Sequence, residues 1–213
     1  MRTLVMLSVA GLVALCVGAA HAETEEHIYG VLRTSKGYMV VWNESKAHFK
    51  VELPGKELRR SEIEGLAIFI DQHLFQILVA DLSDFATGEI SPNATLDQYM
   101  HYELKHWQDT AGMPMPSTVH ARDQSQDKTY MLWEIRWPEQ AIQKDELKGK
   151  ASIKQLFLTA LAGDKVMIVS RTVLEGEDED AALQYLKDVA RTLVISSARI
   201  DISEIQRQLR GEH

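Results

Sequence analysis

Along "HFKVEL" (residues 48–53) the apolar Phe49, Val51 and Leu53 alternate with Lys50 and Glu52. A period of two of this kind gives a strand with one face in a core and one in water. "GYMVVW" (residues 37–42) reads as its partner across the turn-like "NESK", while "GLAIFI" (65–70) and "LFQILVA" (74–80) are apolar on both sides and read as central strands of a hairpin closed by Asp71, Gln72 and His73. Further on, "TVHARDQ" and "KTYMLWEIRW" predict another hairpin. In its second strand Met131, Trp133, Ile135 and Trp137 share one face, and Glu134 and Arg136 share the other as an exposed ion pair. "IKQLFLTALAGDKVMIVSRTV" predicts the best-marked hairpin of the chain, because Gly163 and Asp164 supply a two-residue turn with glycine first.

Two segments change to helical period. The first opens near Thr95, after a loop ended by Pro92 and Asn93, where Thr95 and Gln98 have the spacing of a capping box. With about 100° per residue, Leu96, Met100 and Trp107 form one stripe, bordered by Tyr99 and Leu104. The second, residues 177–194, begins with the acidic "EDED", suited to a positive helix N-terminus. It buries Ala182, Leu183, Leu186, Val189, Ala190 and Leu193.

Strands joined by short turns predict antiparallel pairing, and two long amphipathic helices set apart in the chain predict cover on opposite faces. The expected fold class is α+β: a single antiparallel β-sheet with two long amphipathic helices packed on it, an α/β/α-type sandwich. No linker, repeat or low-complexity tract divides residues 23–198, which read as one domain followed by a polar C-terminal tail, 199–213, with helical potential.

The first helix contains "HYELKH", one residue away from the zinc-protease pattern H-E-x-x-H. His101 and His106 are five residues apart, about 140° around the axis, whereas histidines four apart are separated by about 40°. One straight helix cannot aim both at one metal, so no metal and no other cofactor is expected. The same wheel turns Glu103 into the apolar stripe, where a carboxylate needs an Arg or Lys partner or a wet cleft. A cleft beside this helix makes Glu103, Tyr99 and His106 the candidate ligand-binding residues. No catalytic residue is assigned, since nucleophile elbow, phosphate loop and dinucleotide fingerprint are all lacking.

Residues 1–22 have the form of a signal peptide: Arg2, an apolar run from Leu4 to Ala20, and Ala20-His21-Ala22 for cleavage before Glu23. The expected location is therefore periplasmic or secreted. Cleavage would remove the sole cysteine, Cys16, and with it disulfides and thiolate chemistry. The full chain has 23 basic and 31 acidic residues, and loss of Arg2 takes the formal charge from −8 to −9. Such a surface disfavours nucleic acid. The one dense basic stretch, "KELRR" (56–60), reads as a solvated loop, and nothing beyond the leader is long enough to be an integral membrane segment.

The succession of "HFKVELPG", "GLAIFIDQHLFQILVADL", "ATLDQYMHYEL", "LFLTALAGDKVMIVSRTV" and "ALQYLKDVARTLVIS" resembles the PsbP-like/DcrB-like α/β sandwich over residues 37–195. The resemblance implies that fold and a role of the accessory, partner-binding kind, and it carries over no site residue. The expected function is that of an exported non-enzymatic accessory or binding protein acting on an envelope partner protein or a small apolar ligand. The alternatives are a hydrolase or metal-dependent enzyme with a dispersed site, and a structural module of an envelope complex.

Overall fold

A computed structural model describes residues 28–60, 66–88, 91–124, 128–139 and 151–211; the expected signal peptide lies outside the described residues. In chain order the elements are β1 (Ile28–Arg33), β2 (Gly37–Glu44), β3 (Ala47–Pro54), β4 (Leu58–Arg60), β5 (Leu66–Ile70), β6 (His73–Asp81), α1 (Pro92–Ala111), β7 (Ser117–Gln124), β8 (Thr129–Arg136), β9 (Ser152–Ala162), β10 (Lys165–Leu174), α2 (Glu179–Thr192), β11 (Val194–Ser196) and α3 (Ile202–Arg210).

All strand pairings are antiparallel, but there are two sheets where a single one is expected: β1-β2-β3-β11, and β4-β5-β6-β10-β9-β8-β7. A hairpin with one buried face looks the same in sequence whichever sheet it joins. Here β3 spends its second edge on β11, and the chain restarts a new sheet at β4. That strand occupies part of "KELRR", so the stretch read as a loop is a sheet edge, with the Arg59 guanidinium 4.2 Å from the centre of the Phe69 ring.

The seven-stranded sheet is covered on both faces. One face lies under α1, where Leu96, Tyr99, Met100 and Trp107 meet Met131, Trp133, Ile135 and Phe157. The other shares a larger core with α2 and the small sheet, through Phe49, Val51, Ile68, Leu158, Val169, Leu186 and Val189 among others. In β3 the burial alternates along the whole strand, as its period of two requires. Across the small sheet Tyr29 stacks on Trp42 and Trp42 on Phe49, ring centres 5.6 and 5.9 Å apart. Within the expected tail, α3 docks on the small sheet: Ile202 comes within 3.4 Å of the place a Cβ on Gly30 would take, and Ile205 is buried. No helix among the described residues is long and apolar enough to cross a membrane.

Candidate functional site: the inner stripe of α1

The helix that carries the site begins earlier than Thr95. Ser91 is the N-cap, its side chain accepting from the Ala94 N–H, and Pro92 is the first helical residue, where its missing N–H costs nothing. The Thr95 hydroxyl bonds back to Ser91 O, and Gln98 accepts from Thr87 N instead of closing a capping box. Two ties hold the first half of α1 to β7: Arg122 with Asp97, and Asn93 with Gln124. Leu96 at the base of the stripe is fully buried.

Glu103 lies one turn beyond Tyr99 and one turn before Trp107, so all three point the same way. The Trp107 indole N–H donates to Oε1 at 2.8 Å and the Tyr99 hydroxyl to Oε2 at 3.4 Å. Among the described residues the expected Arg or Lys partner is not there; both hydrogen-bond donors are neutral aromatic side chains. Burial pushes the Glu103 carboxyl above its ordinary value, against the opposing pull of the Trp107 bond, of His106 and of the Tyr99 bond. The residue as a whole is half-buried, with its carboxylate end deep enough for desolvation to dominate.

Of the other two candidates, Tyr99 is buried and His106 half-buried, its ring edge-on to Trp107 with centres 6.1 Å apart. The three thus lie together on one flank of α1. Aromatic rings extend it: Phe85 meets Tyr99 and the exposed Tyr102 at 5.3 and 5.8 Å, and Trp107 meets Trp137 at 5.1 Å. His101 is exposed on another side, its Nδ1 2.7 Å from Asp97 O, so the two histidines of "HYELKH" diverge as the wheel requires. Among the described residues no group of three or more His, Cys, Asp or Glu side chains could hold a metal ion.

A second polar cluster has no counterpart in the sequence reading. Glu134 is no exposed partner of Arg136. It is buried, accepting from Lys154 Nζ at 2.8 Å and lying 2.9 Å from His120 Nε2. Lys154 also reaches Glu179 at 2.6 Å, and Arg136 bonds Glu179 instead of Glu134. Burial alone would raise the Glu134 carboxyl, but the Lys154 and His120 bonds override it and hold it below its ordinary value. Glu179 is held low as well, by its bonds from Lys154 and Arg136. The missed signal was Lys154 itself, a cation in a strand otherwise without charge, two residues before the apolar run that opens at Leu156. His120 sits where the β7–β8 register shifts between Val119 and Ala121. The "EDED" residues have similarly specific work: Asp178 caps α2 by accepting from Ala181 N, while Glu177 pairs with the buried Arg171 and with His73.

A shallow open groove of about 430 Å³ lies at the start of α3, lined by residues of β2 and of 199–203 and by none of α1. No family model matches the chain, and no curated protein does. Among solved structures it is similar to the solution structure of cyanobacterial PsbP (CyanoP) from Synechocystis sp. PCC 6803, with a TM-score of 0.46 and 8% identity, over 84% of this chain and 99% of that one. The PsbP-like resemblance is one of overall element arrangement, and it supplies no site residue, activity or partner.

Proposed function

We propose that the protein is an exported, non-enzymatic accessory protein that binds an envelope partner or a small apolar ligand through the flank of α1 bearing Tyr99, Glu103 and His106. The observation that carries this reading is Glu103: a carboxylate in the middle of the buried stripe, bonded among the described residues only by aromatic donors and pushed by burial toward its neutral form. A group serving only to hold α1 would be better as a neutral amide, since an uncompensated charge there costs stability. The adjoining Tyr102 and Phe85 give the flank the amphipathic aromatic surface from which binding sites are commonly built.

The test places a photocrosslinking side chain at Tyr102 (Tyr102→p-benzoylphenylalanine) in cells, with the exposed Leu209 of α3 as the control position. A discrete adduct from position 102 and not from 209 is expected, together with a mature N-terminus at Glu23. No adduct, or the same adducts from both positions, refutes the α1 flank as the binding surface; an intact Met1 refutes export.

A second reading, a hydrolase with a dispersed site, has His120 against the buried Glu134 in its favour, the pairing that orients a general base. Turnover of activated esters that disappears in His120→Ala would establish it.

A further inference from the structure

The molecule contains an internal template for what Glu103 lacks. On β2, Glu44 accepts an indole N–H from Trp42 at 3.0 Å, as Glu103 does from Trp107, and its other oxygen faces the Lys165 ammonium at 3.5 Å. Two other shielded carboxylates among the described residues are paired likewise: Glu134 meets Lys154, and Glu177 meets Arg171. In all three cases the side chain is shielded, at 12%, 8% and 14% exposure for Glu44, Glu134 and Glu177, and a cation offsets the desolvation. Glu103 has the same indole contact but a tyrosine hydroxyl where Glu44 has its ammonium. Each of its oxygens accepts a single bond, leaving lone pairs on both. Tyr99 and Trp107 turn their polar edges to Glu103, and the Phe85 ring packs beside them against Tyr99 and the exposed Tyr102.

We infer that Glu103 is the recognition group for an organic cation bearing N–H donors, a primary ammonium or a guanidinium, which completes on the α1 flank the arrangement that Lys165 completes at Glu44. The inference rests on the reading of that flank as a binding surface and adds the chemistry of what binds. A guanidinium suits it best, because it can bond both oxygens at once and lie against an aromatic face. The cation comes either from a lysine or arginine side chain of a partner protein or from a free small amine. His106, on the same helix, pulls on the Glu103 carboxyl by its charge, and repeating the measurement in His106→Gln separates its contribution from that of the added cation.

The Trp107 indole N–H reports directly on Glu103 and can be followed by ¹⁵N-resolved NMR of the mature protein, its resonance assigned by loss in Trp107→Phe. Butylguanidinium, butylammonium and neutral butylurea are titrated in turn, followed by a capped Leu-Arg-Leu peptide. The two cations are expected to shift the indole resonance saturably and butylurea not to, and Glu103→Gln is expected to weaken the response about tenfold or more. A peptide binding about tenfold tighter than butylguanidinium assigns the cation to a partner protein, and equal affinity assigns it to a free amine. Silence toward both cations, or an equal response to butylurea, overturns the inference in the wild-type protein, whatever the folding of the variant. A position-102 adduct accompanied by silent titrations would leave the binding surface standing and remove only its cation chemistry.

Discussion

Replacing Lys154 by methionine is a severe test of the buried network, because the change keeps the stem and deletes only the charge. Lys154 is 7% exposed and holds Glu134, itself 8% exposed, at 2.8 Å and Glu179 at 2.6 Å. Removing one partner of a buried pair costs about 3–5 kcal/mol, since the remaining charge is left without compensation. Here Glu179 keeps Arg136, and Glu134 keeps its contact with His120, so the lower end of that range applies, about 3 kcal/mol. For a chain of this size that is a fall in Tm of roughly 6–12 °C. Urea unfolding followed by circular dichroism at neutral pH measures the loss. The deficit should narrow on acidification. In the wild type the Glu134 carboxyl is depressed, so its contribution exists above the unfolded value and is lost as pH falls; in the variant burial dominates, and the penalty is relieved over the same descent. Adding Glu134→Gln to Lys154→Met should recover much of the loss, with a coupling above about 1 kcal/mol. A loss below about 0.5 kcal/mol, or strict additivity of the two changes, would refute the account of a coupled buried network.

Glu103→Gln should leave stability at neutral pH unchanged or raised, because the amide still accepts from Trp107. The folded carboxyl is raised above its ordinary 4.5, so wild-type stability declines as pH climbs past that value, and melts between about pH 4 and 8 should show the gap to the variant widening upward. Gly163→Ala should cost about 2 kcal/mol or more in urea unfolding. Gly163 takes φ 62° in the β9–β10 turn, and a Cβ there would fall 2.3 Å from the Lys46 carbonyl oxygen. Lys128→Met should cost about 1 kcal/mol, with faster amide exchange in the last turn of α2, because Lys128 Nζ donates to Ala190 O at 2.9 Å and Leu193 O at 3.2 Å.

What the sequence disclosed was what is decided locally. The alternation of β3 and the Gly163–Asp164 turn depend on residues a few positions apart, and both are visible as periods and turn chemistry. The start of α1 was misread for an equally local reason. Thr95 and Gln98 imitate a capping box, while the true cap, Ser91, is disguised by a proline that looks like a loop residue and is in fact the first residue of the helix. The division into two sheets was hidden because it turns on which distant strand takes the free edge of β3, and β11 lies about 140 residues away along the chain.

The two polar sites differ in legibility for the same physical reason. Glu103 could be placed from the helix alone, since its neighbours Tyr99 and Trp107 are one turn to either side and three side chains of one helix share a face without help from the rest of the chain. Glu134 could not, because period two assigns it to the face opposite Trp133 but leaves open what covers that face. Its three companions arrive from β7, β9 and the first turn of α2, and each stands in sequence among residues that look either solvated or apolar. A charge on a strand becomes informative only with its cross-strand neighbours in view: Glu134 pairs in register with Leu156, beside Lys154, and with Thr118, beside the shift that turns His120 toward it. That contrast separates the roles as well. The network at Glu134 joins four elements and compensates its own charges, as a structural joint should. Glu103 serves one helix, has no compensating cation among the described residues, and is in that respect the incomplete site.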